Sequence, residues 1–258
     1  MQSAISPPPT IARPWQCVIT GDCLKILSSL PEGFARLVFA DPPYNTGVDY
    51  GDGAAADRLP DEQYLDWCGR WMAQCIRVLR PDGSLWVVIN DEYVSRFDIL
   101  LAEGGLHRRS WIKWYEKFGT NCTTKFNRTS RHVLYCVKDP RRFVFNREAV
   151  TRQSDRQLKY NDKRANPAGK IWDDVWTIPR LAGTHKERIA GFPTQLPLDL
   201  LRPIIGCASD PDDYVIDPFS GSATTGVAAV EQGRRYIGIE SRPTFADLSR
   251  TRLEVVGL

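Results

Sequence analysis

The apolar residues of this chain fall into two kinds of stretch that alternate along the sequence. Residues 37–40 and 84–89 are continuous or nearly continuous apolar runs, as expected of strands buried on both faces of a parallel sheet. Between them runs a stripe of apolar side chains three or four residues apart, which predicts a helix with one face in a core. The stripe consists of Tyr64, Cys68, Trp71, Cys75 and Leu79. This alternation predicts a parallel sheet with helices on both faces.

The same rhythm continues towards both ends. Further strands are predicted at 17–20, 132–137, 214–217 and 236–240, and further helices at 24–30, from Pro197 onward and at 224–232. Pro203 predicts a kink in the helix that Pro197 opens. Residues 81–83, Pro-Asp-Gly, predict a turn, and residues 45–59 predict a loop. Over residues 146–190 the periodicity disappears, which predicts a separate lobe or insertion.

Composition narrows the class of protein. The chain has 258 residues, of which 42% are hydrophobic and 25% charged, so it is neither disordered nor fibrous and suits one large α/β domain, with or without an insertion. No apolar run approaches the roughly 20 residues that span a bilayer. Residues 1–14 are proline-rich and lack the pattern of a signal peptide, so we expect a flexible N-terminus, a cytoplasmic location and no membrane partner. Seven cysteines without a C-x-x-C pair predict reduced thiols and no metal site.

The net charge of +3 hides an asymmetry. Residues 107–190 hold 20 Lys and Arg against 8 Asp and Glu, a net charge of +12, whereas the rest of the chain carries −9. A basic block in an otherwise acidic chain predicts a segment that binds a polyanion, although incidental surface charge is the alternative.

The first candidate site follows the predicted strand at 214–217. Residues 217–225 read Asp-Pro-Phe-Ser-Gly-Ser-Ala-Thr-Thr and lie between a strand and a helix, where α/β sheets bind nucleotide-like ligands. Glu240 ends the next strand, at about the spacing from which an acid reaches ribose hydroxyls. Neither G-x-G-x-x-G nor G-K-[ST] is present, which favours an adenosine ligand without phosphates. A plain tight turn is the alternative.

The second candidate site is Asp41-Pro-Pro-Tyr44, at the end of the strand 37–40. The two prolines have no backbone N–H, so the Asp41 carboxylate and the backbone carbonyls present acceptors only. Tyr44 adds a flat ring for stacking. Acceptors beside a ring suit the amino edge of a flat heterocycle, although Asp-Pro-Pro also occurs in ordinary turns.

Together, residues 41–44 and 217–225 resemble the catalytic motif D-P-P-Y and the cofactor motif of the amino-group DNA methyltransferases that use S-adenosylmethionine. Gly21-Asp-Cys-Leu24 and Pro193-Thr-Gln-Leu-Pro197 match the same family. The catalytic motif precedes the cofactor motif here, as in the circularly permuted β group. The resemblance implies an α/β fold with a Rossmann-like class I methyltransferase core and a mostly parallel sheet.

The resemblance also implies a division of the chain into three parts, and the sequence departs from the family pattern at two positions. The catalytic half would span 15–145, the inserted basic target-recognition lobe 146–190 and the cofactor-binding half 191–258. Ala223 stands where the family usually has glycine, and Leu196 where it often has lysine. Because alanine avoids positive φ, we expect a negative φ at Ala223.

The resemblance assigns roles to individual residues. The methionine end and sulfonium of S-adenosylmethionine would be held by Asp217, Phe219, Gly221, Ser222 and Thr224, with Thr194 and Gln195 closing over them. Glu240 would bind the ribose hydroxyls, and Asp22 with Cys23 would face the adenine ring. The reaction would leave S-adenosylhomocysteine and need no metal.

For catalysis, the resemblance implies Asp41, Pro42, Pro43 and Tyr44. The Asp41 carboxylate and Pro42 carbonyl would accept both hydrogens of an exocyclic amine, and Tyr44 would stack on a base flipped out of double-stranded DNA. Asp rather than Ser at position 41 favours the N6 amine of adenine. The N4 amine of cytosine, adenine in RNA and a catalytically silent DNA-binding protein stay open as alternatives.

The basic block then has an expected partner. Phosphate contacts are predicted from Lys159, Lys163, Arg164, Lys170, Lys186 and Arg188. Trp172 and Trp176 could stack on DNA, but anchoring the lobe to the core is the favoured interpretation. The resemblance implies a bacterial or phage enzyme that associates with the nucleoid, and a homodimer is possible because family members often dimerise.

Overall fold

The computed structural model describes residues 16–49, 53 and 57–257, so the predicted flexible N-terminus at 1–14 and part of the predicted loop at 45–59 lie outside the described residues. The strands are β1 (Gln16–Thr20), β2 (Ala35–Ala40), β3 (Leu79–Ile89), β4 (His107–Thr120), β5 (Arg128–Val137), β6 (Thr151–Arg152), β7 (Lys170–Ile171), β8 (Val175–Thr177), β9 (Tyr214–Asp217) and β10 (Arg235–Glu240). The helices are α1 (Cys23–Ser29), α2 (Asp61–Val78), α3 (Val94–Glu103), α4 (Asp155–Leu158), α5 (Leu198–Ala208), α6 (Thr224–Glu231) and α7 (Pro243–Val256).

Eight strands form one sheet in the order β1-β10-β9-β2-β3-β5-β4-β8. The pairs from β1 to β3 are all parallel, β5 is antiparallel to both of its neighbours, and β8 adds to β4 in parallel. The prediction of a mostly parallel sheet is therefore confirmed. The carboxyl ends of β1, β10, β9 and β2 meet at one edge of the sheet.

The sheet is buried on both faces, and alternating residues of one strand show it. In β2, Leu37 and Phe39 face the core beneath α5, α6 and α7, whereas Val38 and Ala40 face the core beneath α1, α2 and α3. Burial on both sides explains why β2 reads as a continuous apolar run rather than as an alternating one. Among the described residues, no helix is long and apolar enough to cross a membrane.

Several elements differ from the sequence prediction. Helix α3, strand β4 and helix α7 carried no clear signal, because their apolar positions are interrupted by charged residues on the exposed face. The predicted turn at 81–83 is instead a bulge within β3, since Leu79 pairs with Ala35 and Ser84 with Leu37. Helix α5 contains Pro203 as expected, and Pro197 is its N-cap rather than its first residue.

The segment 146–190 contains only short elements, in agreement with its lost periodicity. Strands β6 and β7 form a small separate sheet, but β8 joins the main one. Trp176 is 5% exposed within the core and its ring contacts that of Trp172, with centroids 5.4 Å apart. Trp176 therefore anchors this segment to the core, and the boundaries of a recognition lobe stay a prediction.

Candidate active site

Four neighbouring parallel strands each lead into an acidic residue at the same edge of the sheet. Asp22 follows β1, Glu240 ends β10, Asp217 ends β9 and Asp41 follows β2. All four line one cavity of about 450 Å³. Residues that are up to 218 positions apart in sequence thus share one wall because the strands lie side by side.

Aromatic rings line the same cavity. They belong to Tyr44, Trp67, Phe192, Phe219 and Phe245. A wall of carboxylates and rings favours a ligand that combines positive charge with flat or apolar parts, because carboxylates and ring faces both attract cations.

The D-P-P-Y turn, which is the predicted catalytic motif, is fixed by two tyrosine hydroxyls. Tyr44 Oη donates a hydrogen bond to Asp41 Oδ1 at 2.5 Å. Tyr64 Oη, from α2, donates to the Pro43 carbonyl at 2.7 Å and so anchors the turn. Burial raises the pKa of Asp41 to about 6, while the charge of Arg131 and the hydrogen bond from Tyr44 oppose that rise.

Sequence reasoning missed Arg131, which lies beside this motif on β5. Its Nη1 donates to Tyr44 Oη at 3.1 Å, and its guanidinium lies over the Tyr44 ring at 5.1 Å from the centroid. The predicted strand began at His132, one residue after Arg131 and four residues after the observed start of β5 at Arg128. An arginine next to an otherwise apolar strand was the available signal.

The loop after the catalytic motif is organised by one buried carboxylate, which the sequence also did not reveal. Asp57 accepts hydrogen bonds from the backbone N–H groups of residues 45–48 at 3.0 to 3.2 Å. The side chain of Asn45 adds a bond to the Leu59 carbonyl at 2.9 Å. The described part of this loop is therefore held against the body of the protein.

In the predicted cofactor motif, Asp217 and Phe219 are locked in place. Asp217 Oδ1 accepts from the Phe219 N–H at 2.9 Å, and the Phe219 ring packs edge-on against Trp71, with centroids 5.2 Å apart. Burial raises the pKa of Asp217 to about 7, and the neighbouring charge of Asp41 contributes to that rise.

The backbone after Phe219 turns through two residues with positive φ, Gly221 at 50° and Ala223 at 55°. The expectation of a negative φ at Ala223 was wrong. The turn must bring Ser222 and Thr224 to the cavity while starting α6, and this requires the left-handed conformation that glycine adopts more easily. The Ser222 and Thr224 hydroxyls lie 3.1 Å apart, and Arg252 donates to the Ser222 carbonyl at 2.8 Å.

Two further predicted residues border the adjacent strand ends. Glu240 accepts from the N–H of Gly221 and the N–H of Arg242, both at 2.9 Å. Asp22 caps α1 by accepting from the Leu24 N–H at 2.7 Å. The thiol of Cys23 is buried beside Asp22, and burial raises its pKa to about 12, so it stays protonated near neutral pH.

The pair expected to close over the ligand is split by the structure. Thr194 lines the large cavity. Gln195 instead faces a neighbouring cavity of about 260 Å³, where it accepts from the Ile189 N–H at 2.8 Å and donates to the Glu187 carbonyl. These hydrogen bonds link Gln195 to the backbone of residues 187 and 189. Direct binding of a ligand by Gln195 stays a prediction.

The six predicted phosphate-binding residues are all exposed and none lines the large cavity. Three of them pair with acidic side chains, namely Lys159 with Asp155, Arg164 with Asp162 and Lys170 with Asp173. Lys163, Lys186 and Arg188 form no ion pair with the acidic side chains of the described residues. Arg188 also lines the smaller cavity.

The cavity fits S-adenosylmethionine. A β-carbon on Gly221 would lie 2.7 Å from Cζ of Phe192, so a side chain there would displace a ring that lines the cavity. The carboxylates of Asp217 and Glu240 supply negative charge that attracts a cationic sulfur, and acceptors for an amino group and ribose hydroxyls. No cluster of His, Cys, Asp or Glu that could hold a metal ion occurs among the described residues.

The cavity combines carboxylates that suit a positively charged nucleoside with the D-P-P-Y turn, whose acceptors suit a flat amine-bearing ring. The class of protein is thus a methyltransferase that uses S-adenosylmethionine. The chain belongs to the DNA methylase family of N6 and N4 methyltransferases, whose model matches residues 35–251. The predicted family and cofactor are confirmed.

Relatives and solved structures agree with this family. The chain is 34% identical to the DNA adenine methyltransferase YhdJ of Escherichia coli over 92% of the chain and 82% of that protein. It is 31% identical to the type II methyltransferase M.HpaI of Haemophilus parainfluenzae, over 93% of the chain and 74% of that protein. The fold matches the cytosine-N4-specific PvuII DNA methyltransferase with a TM-score of 0.71 at 21% identity, covering 92% and 86% of the two chains.

A further solved structure of the same fold contains the cofactor. It is a DNA modification methylase from Thermus thermophilus in complex with S-adenosylmethionine, which matches with a TM-score of 0.66 at 22% identity and covers 93% of this chain and 94% of that one.

Proposed function

We propose that this DNA methyltransferase transfers a methyl group to the exocyclic N6 amine of an adenine flipped out of double-stranded DNA. The observation that carries the proposal is the position of the Asp41 carboxylate. It lines the cavity at the start of the D-P-P-Y turn and accepts a hydrogen bond from Tyr44. The adenine specificity named for its Escherichia coli relative supports the choice of base.

In this proposal the chain positions the amine and accepts its hydrogens. The lone pair of an aromatic amine is delocalised into the ring, which makes the nitrogen a poor nucleophile. By accepting one hydrogen each, the Asp41 carboxylate and the Pro42 carbonyl favour a pyramidal nitrogen with a localised lone pair. The Tyr44 ring supplies the stacking surface for the flipped base.

The cofactor's role is limited to supplying an activated methyl group on its sulfonium. Asp217, Phe219, Gly221, Ser222 and Thr224 would hold its methionine end, with Glu240 at the ribose and Asp22 and Cys23 at the adenine. Because these groups are fixed by backbone hydrogen bonds and packing, little reorganisation is needed when the site fills.

The N4 amine of cytosine is the second candidate, since the fold matches a cytosine-N4-specific enzyme.

The basic segment between the two motifs is proposed to contact the DNA backbone. The circular permutation and a homodimer stay predictions from the resemblance.

Transfer of labelled methyl groups to unmethylated genomic DNA tests the proposal. The DNA is digested and the modified nucleoside is identified by mass spectrometry, with RNA as a parallel substrate. We expect N6-methyl-2′-deoxyadenosine from DNA and none from the Asp41→Ala variant, which should still bind S-adenosylhomocysteine in calorimetry. N4-methyl-2′-deoxycytidine, product in RNA only, or full activity of Asp41→Ala would each contradict it.

A further inference from the structure

Arg131 lies at the junction of the two cavities and contacts the catalytic motif without belonging to it. It comes from β5, and in the register of β4 and β5 it pairs with Trp114. Its guanidinium carbon is 5.1 Å from the centre of the Tyr44 ring and 5.5 Å from that of the Trp114 ring. The arginine is thus held between two aromatic faces, which fixes its position.

A second charge stands behind this arginine. Glu116, on β4, is 7% exposed, and its Oε1 lies 3.4 Å from Nε of Arg131. A buried carboxylate needs a paired cation, and Arg131 supplies that charge, although Glu116 Oε1 accepts no hydrogen bond from it. The result is a chain of contacts from Glu116 through Arg131 and the Tyr44 hydroxyl to the Asp41 carboxylate.

We propose that Arg131, oriented by Glu116, is a positioning residue that holds Tyr44 and keeps the Asp41 carboxylate charged for the target amine. The proposal rests on the proposed function. Arg131 donates a hydrogen bond to the Tyr44 hydroxyl at 3.1 Å, and that hydroxyl donates to Asp41 at 2.5 Å. Tyr44 therefore links the position of Arg131 to that of the Asp41 carboxylate. A charged acceptor binds an amine hydrogen more strongly than a protonated carboxyl does.

The charges around Asp41 predict the direction in which each substitution should change the pKa of this residue. Burial raises the pKa of Asp41 to about 6, the Arg131 charge and the Tyr44 hydrogen bond lower it, and Glu116 raises it. From β9, Asp217 adds a further carboxyl group facing Asp41. Removing the charge of Arg131 should therefore raise the pKa of Asp41, and removing the charge of Glu116 should lower it.

The test is the pH dependence of the single-turnover methyl-transfer rate, measured at saturating DNA and cofactor. Arg131→Gln should move the acid limb of the profile upward by roughly one pH unit. Glu116→Gln should move it downward by less, and Arg131→Lys, which keeps the charge, should move it little. The opposite signs of the first two shifts are what a merely structural role would not produce.

Arg36→Gln is the matched control. Arg36 lies at the start of β2, five residues before Asp41, and is buried between Asp82 and Asp213 at 2.6 and 2.9 Å. The Arg36→Gln substitution removes a buried ion pair of the same kind at the opposite edge of the sheet. It should therefore lower the stability of the protein without moving the acid limb of the pH profile. The proposal would be overturned if the acid limb of the pH profile did not move in Arg131→Gln and Glu116→Gln. It would also be overturned if the acid limb moved equally in Arg131→Gln and Arg36→Gln.

A measurement without catalysis separates this proposal from the proposed function. The Asp41 carboxyl is titrated by carbon NMR in aspartate-labelled protein and assigned by difference from Asp41→Asn. An inactive wild type would reject the proposed function, yet shifts of opposite sign in Arg131→Gln and Glu116→Gln would still support the coupling. If Arg131→Gln does not fold, Glu116→Gln and Arg131→Lys decide, and an unmoved Asp41 titration in Glu116→Gln rejects the coupling.

Discussion

The Phe192 ring packs against the backbone of Gly221 so closely that a β-carbon on the glycine would lie 2.7 Å from Cζ of the ring. Both residues line the large cavity. Gly221 also has a φ of 50° and donates its N–H to Glu240. The glycine thus serves both the turn and the shape of the site.

Gly221→Ala should therefore weaken cofactor binding. The new methyl group must displace Phe192 into the cavity or shift the backbone that presents Gly221 to Glu240. We expect the Kd for S-adenosylhomocysteine, measured by calorimetry, to rise at least about tenfold, equivalent to roughly 1.4 kcal/mol.

Gly33→Ala is the control for this variant. Gly33 has a similar φ of 67°, but a β-carbon there would meet nothing within 4 Å. Both variants carry the same backbone cost of about 1 to 2 kcal/mol in stability. An equal loss of affinity in both would show that the contact with Phe192 is irrelevant to binding.

Ala223 is strained by its left-handed conformation. Its φ of 55° costs a non-glycine residue about 1 to 2 kcal/mol, which offsets the packing of its buried methyl group. Ala223→Gly should leave the free energy of unfolding unchanged or raise it by up to about 1 kcal/mol, as measured by urea denaturation. Ala228→Gly makes the same change at an equally buried position within α6 and should cost about 1 kcal/mol or more. Equal destabilisation by the two variants would contradict this account.

Asp57 should control the order of the loop after the catalytic motif. Because the Gly47 N–H keeps the backbone carbonyl of residue 57 as an acceptor, Asp57→Ala leaves the N–H groups of Asn45, Thr46 and Val48 without theirs. Hydrogen exchange at these amides should speed up at least roughly tenfold, and the KM for DNA should rise. Asp66→Ala removes an exposed carboxylate from α2 and serves as the control. Unchanged exchange in Asp57→Ala would show that other contacts hold the loop.

The basic residues divide into two sets that a salt titration of DNA binding can compare. Lys163, Lys186 and Arg188 carry charges that the described acidic side chains do not pair. Changing all three to Gln should therefore reduce the slope of log affinity against log salt concentration by about 1 for each phosphate that the protein no longer neutralises. The matched set, with the same change in net charge, replaces Lys159, Arg164 and Lys170, whose charges are partly neutralised by aspartates. That set should have the smaller effect, and the reverse order would place the DNA elsewhere.

The sequence by itself determined the strands that are buried on both faces and the two motifs at their ends. Residues 37–40 were readable as a strand because a fully buried strand is apolar throughout, whatever surrounds it. Asp41 and Asp217 were predicted to lie at binding sites because they stand at the carboxyl ends of predicted strands, and in the structure both line one cavity. These are local or topological consequences of the residues themselves.

Only the tertiary structure decided the contacts between distant strands. Arg131 reaches Tyr44 from 87 positions away, and Asp57 binds N–H groups across a loop, so neither leaves a periodic signal. The left-handed φ of Ala223 was likewise imposed by the turn into α6, against the preference of alanine. Propensity describes what a residue adopts alone, whereas in these places packing of the whole sheet and its helices supplied the larger free energy.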